Sequence, residues 1–216
     1  KRPFHMEESE QMGSKSAFIA IVGKPNAGKS TLLNALVGEK VAIVSDKPQT
    51  TRTKITGVLT TGDIQYVFID TPGLHRARTK LGEHMVKAVK DSVADVDAAI
   101  LVVESAGEPA KAELELIETF RATKIPAILV INKIDTLQDK SVLIARIKKY
   151  TDLYEFAGVI PLSALTGDGV SILMDELQSY AKDGPHYFPD DAMTDQPERV
   201  IAAEIIREKI LNYLYE

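Results

Sequence analysis

The stretch GKPNAGKST, Gly23–Thr31, follows directly on the apolar run AFIAIV, Ala17–Val22. Its spacing, Gly23-x4-Gly28-Lys29-Ser30, fits the phosphate-cradling pattern G-x-x-x-x-G-K-[ST]. Small residues let a backbone curl until successive N–H groups point inward and bind anionic oxygens. The phosphate-binding residues expected from this pattern are Gly23, Lys24, Pro25, Asn26, Ala27, Gly28, Lys29, Ser30 and Thr31. Lys29 would reach the outer phosphates, and Ser30 would offer its hydroxyl to Mg²⁺. A helix opening here, carrying Leu32, Leu33, Leu36 and Val37, adds the positive end of its dipole. The loop does not say which nucleotide it holds.

Outward from this loop, apolar runs alternate with helical patterns. Ala98–Val103 precedes a helical stretch over Pro109–Arg121, Ala127–Ile131 precedes Lys140–Tyr150, and Gly158–Leu162 precedes Val170–Tyr180. Such alternation implies a largely parallel sheet covered on both faces. Lys54–Thr61 and Ile64–Asp70 are separated only by Gly62-Asp63, too short for a parallel crossover, and form a hairpin. The fold class expected is α/β, a P-loop NTPase fold: a mixed, mainly parallel six-stranded sheet with one antiparallel edge strand and helices on both faces. Residues 182–197, KDGPHYFPDDAMTDQP, show no helical or strand period and read as a linker on a surface, in which His186 and Tyr187 pack. A helical pattern resumes over Glu198–Glu216, with Ala203, Ile206, Ile210 and Tyr213 as its apolar stripe. It either folds back on the first domain or opens a second, and the second is the expectation. Domains are therefore drawn at 1–15 (disordered or vector-derived), 16–181, 182–197 and 198–216.

The chain has 216 residues, a formal net charge of −5 and no cysteine. An acidic balance argues against strong nucleic-acid binding by this segment alone, because it lacks the basic excess that releases counterions. Absence of cysteine excludes a disulfide framework and fits a reducing compartment. The longest apolar runs are far too short to span a bilayer, and 1–15 lacks the apolar centre of a signal peptide.

Four further segments carry chemistry. In DTPG, Asp70 ends a strand beside the phosphate loop, where a carboxylate holds Mg²⁺ through its water shell, and Gly73 brings a bare N–H to the terminal phosphate. In NKID, Asn132–Asp135, the Asp135 carboxylate can accept from the adjacent ring N–H and amine of guanine. Adenine lacks that pair, and the mismatch costs about 10³-fold. The Lys133 stem lies over the base plane, Asn132 braces neighbouring loops, and Ser163-Ala164-Leu165 closes over the base through backbone N–H groups. Between the first helix and the hairpin lies KPQTTRTK, Lys47–Lys54, whose Thr51, or else Thr50, completes the Mg²⁺ shell when a third phosphate is present.

In this order and on these elements, GKPNAGKST, PQTTRT, DTPG, NKID and SAL resemble a translation-factor-class GTPase domain. KPQTTRTKITG, DTPGLHRARTKLGEHMVKAV and TDQPERVIAAEIIREKIL resemble, more narrowly, the Era family, bacterial GTPases of small-subunit ribosome assembly. The resemblance runs from about Ala17 to the end of the chain. It implies a GTP/GDP switch with Mg²⁺, acting in small ribosomal subunit assembly and ribosomal RNA maturation. Its partners would be the small subunit and its ribosomal RNA, reached through a KH domain that would follow this segment. It also implies a cytoplasmic location with peripheral contact to the inner face of the membrane; the segment itself is expected to be monomeric. One departure from Ras-type enzymes is Leu74 after DTPG, where those carry a water-orienting glutamine. The resemblance offers K⁺ held partly by Asn26 as compensation, so Lys29, Asn26 and Thr51 are the expected catalytic groups. The other possibility for Asn26 is that it only braces the loop. A guanine-nucleotide-dependent scaffold with negligible hydrolysis is the alternative function. His75 and the run Arg76, Arg78 and Lys80 are expected to be solvated.

Overall fold

The computed structural model describes residues 13–42, 44, 55–70 and 96–213. Strands β1 (Lys15–Val22), β2 (Ile55–Thr61), β3 (Ile64–Asp70), β4 (Ala98–Glu104), β5 (Ala127–Asn132) and β6 (Gly158–Pro161) form one sheet in the order β2-β3-β1-β4-β5-β6. All neighbours are parallel except β2 and β3, which pair antiparallel as the two-residue turn requires. The mixed, mainly parallel sheet expected from sequence is the sheet observed.

It has one strand more than expected. β7 (Lys182–Asp183) pairs antiparallel with β1, Lys15 opposite Asp183 and Ser16 opposite Lys182. β4 joins β1 only from Ile19 onward, so the first residues of β1 have an open side, and β7 fills it.

Side chains alternate across the strands, which explains the two cores. On one face Ile19, Ile21, Phe68, Ile100, Val102, Ile128 and Val130 are buried with Leu32, Leu33 and Leu36 of α1 (Lys29–Val37) and Leu173 and Leu177 of a later helix. On the other face Ala20, Val22, Leu101, Val103, Leu129 and Ile131 are buried with Leu116, Ile117 and Phe120 of α2 (Lys111–Thr123) and Tyr150 of α3 (Lys140–Thr151). α4 (Val170–Leu177) tightens into a 3₁₀ turn over Gln178–Tyr180, so the regular helix stops before Tyr180.

Residues 182–197 lie against the sheet through specific bonds. The buried Gln65 amide accepts from Tyr187 N–H at 2.7 Å and Phe188 N–H at 3.0 Å, and donates to the Phe188 carbonyl at 2.9 Å. Further on, Met193 O accepts from Val58 N–H at 2.8 Å and Thr194 bridges Gly57, covering the outer edge of β2. Tyr187 sets its ring edge-on to Phe18 yet stays 58% exposed.

α5 (Glu198–Tyr213) bonds to the turn after α1 through a buried carboxylate. Ile206 is 60% exposed, whereas Glu208 is 6% exposed, pairs with Lys40 Nζ at 2.7 Å and accepts from Val44 N–H at 3.3 Å.

Candidate functional site

β1, β3, β4, β5 and β6 all end at the same border of the sheet, and β1 lies between strands reached in opposite directions. Ligands of open α/β sheets bind at such a switch point. Here Val22 leads into the phosphate loop, Asp70 stands opposite Ile21, Glu104 opposite Asn132, and Pro161 opposite Ile131.

The phosphate loop folds as its small residues require. Gly28 takes φ +94°, and a Cβ there would meet Asn132 Nδ2 at 2.2 Å, so only glycine fits. A Cβ on Gly23 would likewise meet the Val102 carbonyl oxygen, at 2.3 Å. Asn26 is exposed in the left-handed region at φ 62°. α1 starts at Lys29, directly after Gly28, so its N-terminal N–H groups open onto the loop. Lys29 is nearly buried, and its Nζ donates to the Lys24 carbonyl at 2.9 Å. The loop presents a cradle, a helix N-terminus and an ammonium to one volume, a donor set that suits a polyphosphate.

Across the border, Asn132 is buried and joins three loops. Its Nδ2 donates to Ala27 O at 2.9 Å, and its Oδ1 accepts from Lys133 N–H at 2.8 Å and Ala164 N–H at 2.9 Å. Ala164 N–H is thus spent on Asn132, because a buried amide oxygen needs donors. Ser163 Oγ donates to Asp135 Oδ1 at 2.6 Å and accepts from Thr166 N–H at 3.2 Å, which orients the exposed Asp135 carboxylate. Leu165 is 79% exposed at the rim of this loop. Lys133 holds the left-handed conformation, φ 66°, with its carbonyl taking the hydroxyls of Ser105 at 3.0 Å and Thr136 at 2.7 Å.

Sequence reasoning missed Glu104, for which no motif spacing signals a role. Its carboxylate pairs with Lys133 Nζ at 2.7 Å and with Lys24 Nζ. Burial pushes the Glu104 carboxyl up, but the hydrogen bonds and charges of Lys133 and Lys24 outweigh it and leave the group below the ordinary glutamate value. Also unsignalled is Asn34, whose side chain closes the turn after α1 on the N–H groups of Val41 and Ala42 and the Ala42 carbonyl.

Thr50, Thr51, Gly73, Leu74, His75, Arg76, Arg78 and Lys80 lie outside the described residues, and of Asp70 only the backbone position is described. Among the described residues no three His, Cys, Asp or Glu side chains gather as a metal cluster, and no helix is long and apolar enough to cross a membrane. A Mg²⁺ held by a hydroxyl and phosphate oxygens, as the Ser30 position allows, requires no such cluster.

A family model described as "50S ribosome-binding GTPase" matches residues 18–133. A GTPase Era of Clostridioides difficile is 50% identical over 93% of this chain and 67% of its own length. The chain belongs to the Era family of GTPases. Another Era relative, from Syntrophus aciditrophicus, is 49% identical over 91% of this chain and 64% of its own length. The Era-family chain thus spans about two thirds of the length of these relatives. A crystal structure of Era in complex with MgGDPNP and nucleotides 1506–1542 of 16S ribosomal RNA superposes with a TM-score of 0.85 at 36% identity, covering 91% of this chain and 67% of that one. A point variant of Aquifex aeolicus Era bound to GDP·AlF4⁻ superposes at 0.84, also at 36% identity, covering 90% and 66%.

Proposed function

We propose that this Era-family chain binds GTP and GDP with Mg²⁺, hydrolyses GTP slowly, and serves as the nucleotide-dependent part of a protein acting in small ribosomal subunit assembly and ribosomal RNA maturation. The observation that carries the guanine reading is Asp135, oriented by Ser163 at 2.6 Å on a loop tied by Asn132 to the phosphate loop. A carboxylate so placed accepts from a two-donor base edge and is left unpaired against adenine. The nucleotide complexes solved for Era relatives support GTP, GDP and Mg²⁺ as the ligands. The test is titration with GDP and ADP: GDP should bind at least about 10³-fold more tightly. Asp135→Asn should weaken GTP and favour xanthosine nucleotides, and equal ADP and GDP affinity would overturn the assignment.

Phosphoryl transfer asks the protein mainly to position water and stabilise charge spreading over phosphate oxygens. Lys29 and the loop N–H groups supply part of that field, and Mg²⁺ supplies more when bound. Ser30, Thr51 and Asp70 are the residues assigned to hold Mg²⁺. With Leu74 in the glutamine position, a monovalent cation held in part by Asn26 would offset further charge. Its exposed side chain in the phosphate loop supports that role. Hydrolysis should then be faster in K⁺ than in Na⁺, and Asn26→Ala should remove the difference while keeping nucleotide affinity. Equal rates in the two salts would leave Asn26 a loop brace. No measurable turnover in either salt would favour the scaffold reading, which Leu74 keeps open.

The proposed division keeps 16–181 as the GTPase domain, 182–197 as its connection and 198–216 as the first helix of a KH-type RNA-binding domain. The ribosomal RNA in the Era complex supports that partner for the whole protein. A cytoplasmic, monomeric segment with peripheral membrane contact belongs to the same proposal.

A further inference from the structure

Glu104 ends β4 with one lysine ammonium on each carboxylate oxygen: Lys133 Nζ on Oε1 at 2.7 Å and Lys24 Nζ on Oε2. Lys133 belongs to the base side of the site and Lys24 to the phosphate loop. The Lys24 carbonyl in turn accepts from Lys29 Nζ at 2.9 Å. We propose that Glu104 is a positioning residue for guanine-nucleotide binding, one carboxylate that sets the Lys133 stem beside the base and steadies the Lys24–Lys29 link beside the phosphates. The inference rests on the guanine-nucleotide reading above.

The carboxylate is itself firmly placed. Glu104 pairs in register with Asn132, and its carbonyl accepts from Arg146 Nε at 3.1 Å. Arg146 is 2% exposed, donates also to Gly107 O at 2.5 Å, and lies over the Tyr150 ring at 4.7 Å. The next residue, Ser105, is buried, and its N–H and hydroxyl hold the carbonyls of Asn132 at 2.9 Å and Lys133 at 3.0 Å. Lys133 is therefore held at both ends, its carbonyl by Ser105 and its ammonium by Glu104. A flexible four-carbon stem becomes a fixed edge, and ordering it beforehand removes a cost from ligand binding.

Removing the carboxylate has two opposed effects. Loss of one negative charge raises the positive potential near the phosphates and favours an anion. Loss of the shared partner lets two like-charged ammoniums swing apart. The three side chains are 26%, 30% and 37% exposed, so solvent and salt screen the first effect, and the second prevails. The sign of the change in affinity separates positioning from bulk charge.

The experiment is a double-mutant cycle on GDP affinity in Mg²⁺, with Glu104→Gln, Lys133→Met and the pair, alongside melting of each nucleotide-free protein. Glu104→Gln should weaken GDP about tenfold with little change in melting, since exposed ion pairs add little stability. The pair should lose clearly less than the sum of the two single losses, because Glu104 acts on the base side through Lys133 while its hold on Lys24 is separate. GDP binding by Glu104→Gln as tight as or tighter than the unmodified chain, or strictly additive losses, would overturn the inference. Should Glu104→Gln fail to fold, Glu104→Asp, too short to reach both lysines, should still weaken GDP, and unchanged affinity would overturn the inference equally. Failure of the unmodified chain to prefer GDP over ADP would instead remove the guanine-nucleotide reading on which it stands.

Discussion

Asn132 and Ala27, 105 positions apart in the chain, are joined by an Nδ2–H···O bond of 2.9 Å. That bond ties the loop proposed to face the base to the phosphate loop. Asn132→Ala strands the Ala27 carbonyl and the Ala164 N–H in a buried setting. That should destabilise the chain by about 3 kcal/mol, at about 1–3 kcal/mol per orphaned group, and weaken GDP at least tenfold. Denaturant titration and fluorescence titration with GDP check it; a variant as stable as its parent would refute the brace.

Ser163→Ala tests chiefly the orientation of Asp135, since the other bond it removes is the longer one from the exposed Thr166 N–H. The hydroxyl lost is the one that fixes Asp135 Oδ1. Because Asp135 is exposed, the fold should melt nearly unchanged, while GDP should bind about tenfold more weakly, the size of one charge-assisted hydrogen bond. Calorimetric titration gives the number.

Tyr150 should make the fold sensitive to alkali. Burial, then the hydrogen bond and charge of Glu113, hold its phenol well above the ordinary tyrosine value. Above about pH 10 the unfolded chain releases this proton and the native chain keeps it, so stability falls as pH rises, by up to about 1.4 kcal/mol per pH unit. Urea unfolding between pH 8 and 11 should show that slope. Tyr150→Phe should reduce it and lower the neutral-pH baseline by about 1–3 kcal/mol, since the Glu113 carboxylate loses one of its two donors and keeps only the Ala110 N–H.

His186 should give the 182–197 segment a pH dependence. Asp190 Oδ1 lies 2.6 Å from Nδ1 and the Asp63 carbonyl 3.1 Å from Nε2, and both favour the protonated ring. The bond to Asp190, then that to Asp63, raises the group above the ordinary histidine value. Its stabilisation is complete below the unfolded value of about 6.5 and is lost as pH rises through the raised folded value. Amide exchange at Tyr187 and Phe188, corrected for intrinsic rates, should therefore be more protected at pH 6 than at pH 8, and His186→Ala should abolish the difference.

The strand–helix alternation, the Gly62-Asp63 hairpin and the loop glycines were legible because each is written in neighbouring residues. α2 begins at Lys111, not Pro109, because Glu113 reaches back to the Ala110 N–H at 2.7 Å. What escaped local reading depends on distant partners. Lys182–Asp183 becomes a strand only because β1 has a vacant side. Gln65 looks like any polar residue until Tyr187 and Phe188 are laid against it. Glu104 carries no spacing of its own, and its importance comes from two lysines belonging to two separate motifs.

The bond from Val58 N–H to Met193 O and the Thr194 bridge to Gly57 have a bearing on solubility. β2, ITGVLTT, is the outermost strand on its side, and an open strand edge is a template for other chains. Residues 193 and 194 occupy that edge from within. A chain cut after β7 would keep the sheet and the site but leave the edge bare. It should self-associate with rising concentration by adding strand to strand, which sedimentation at a series of concentrations would detect.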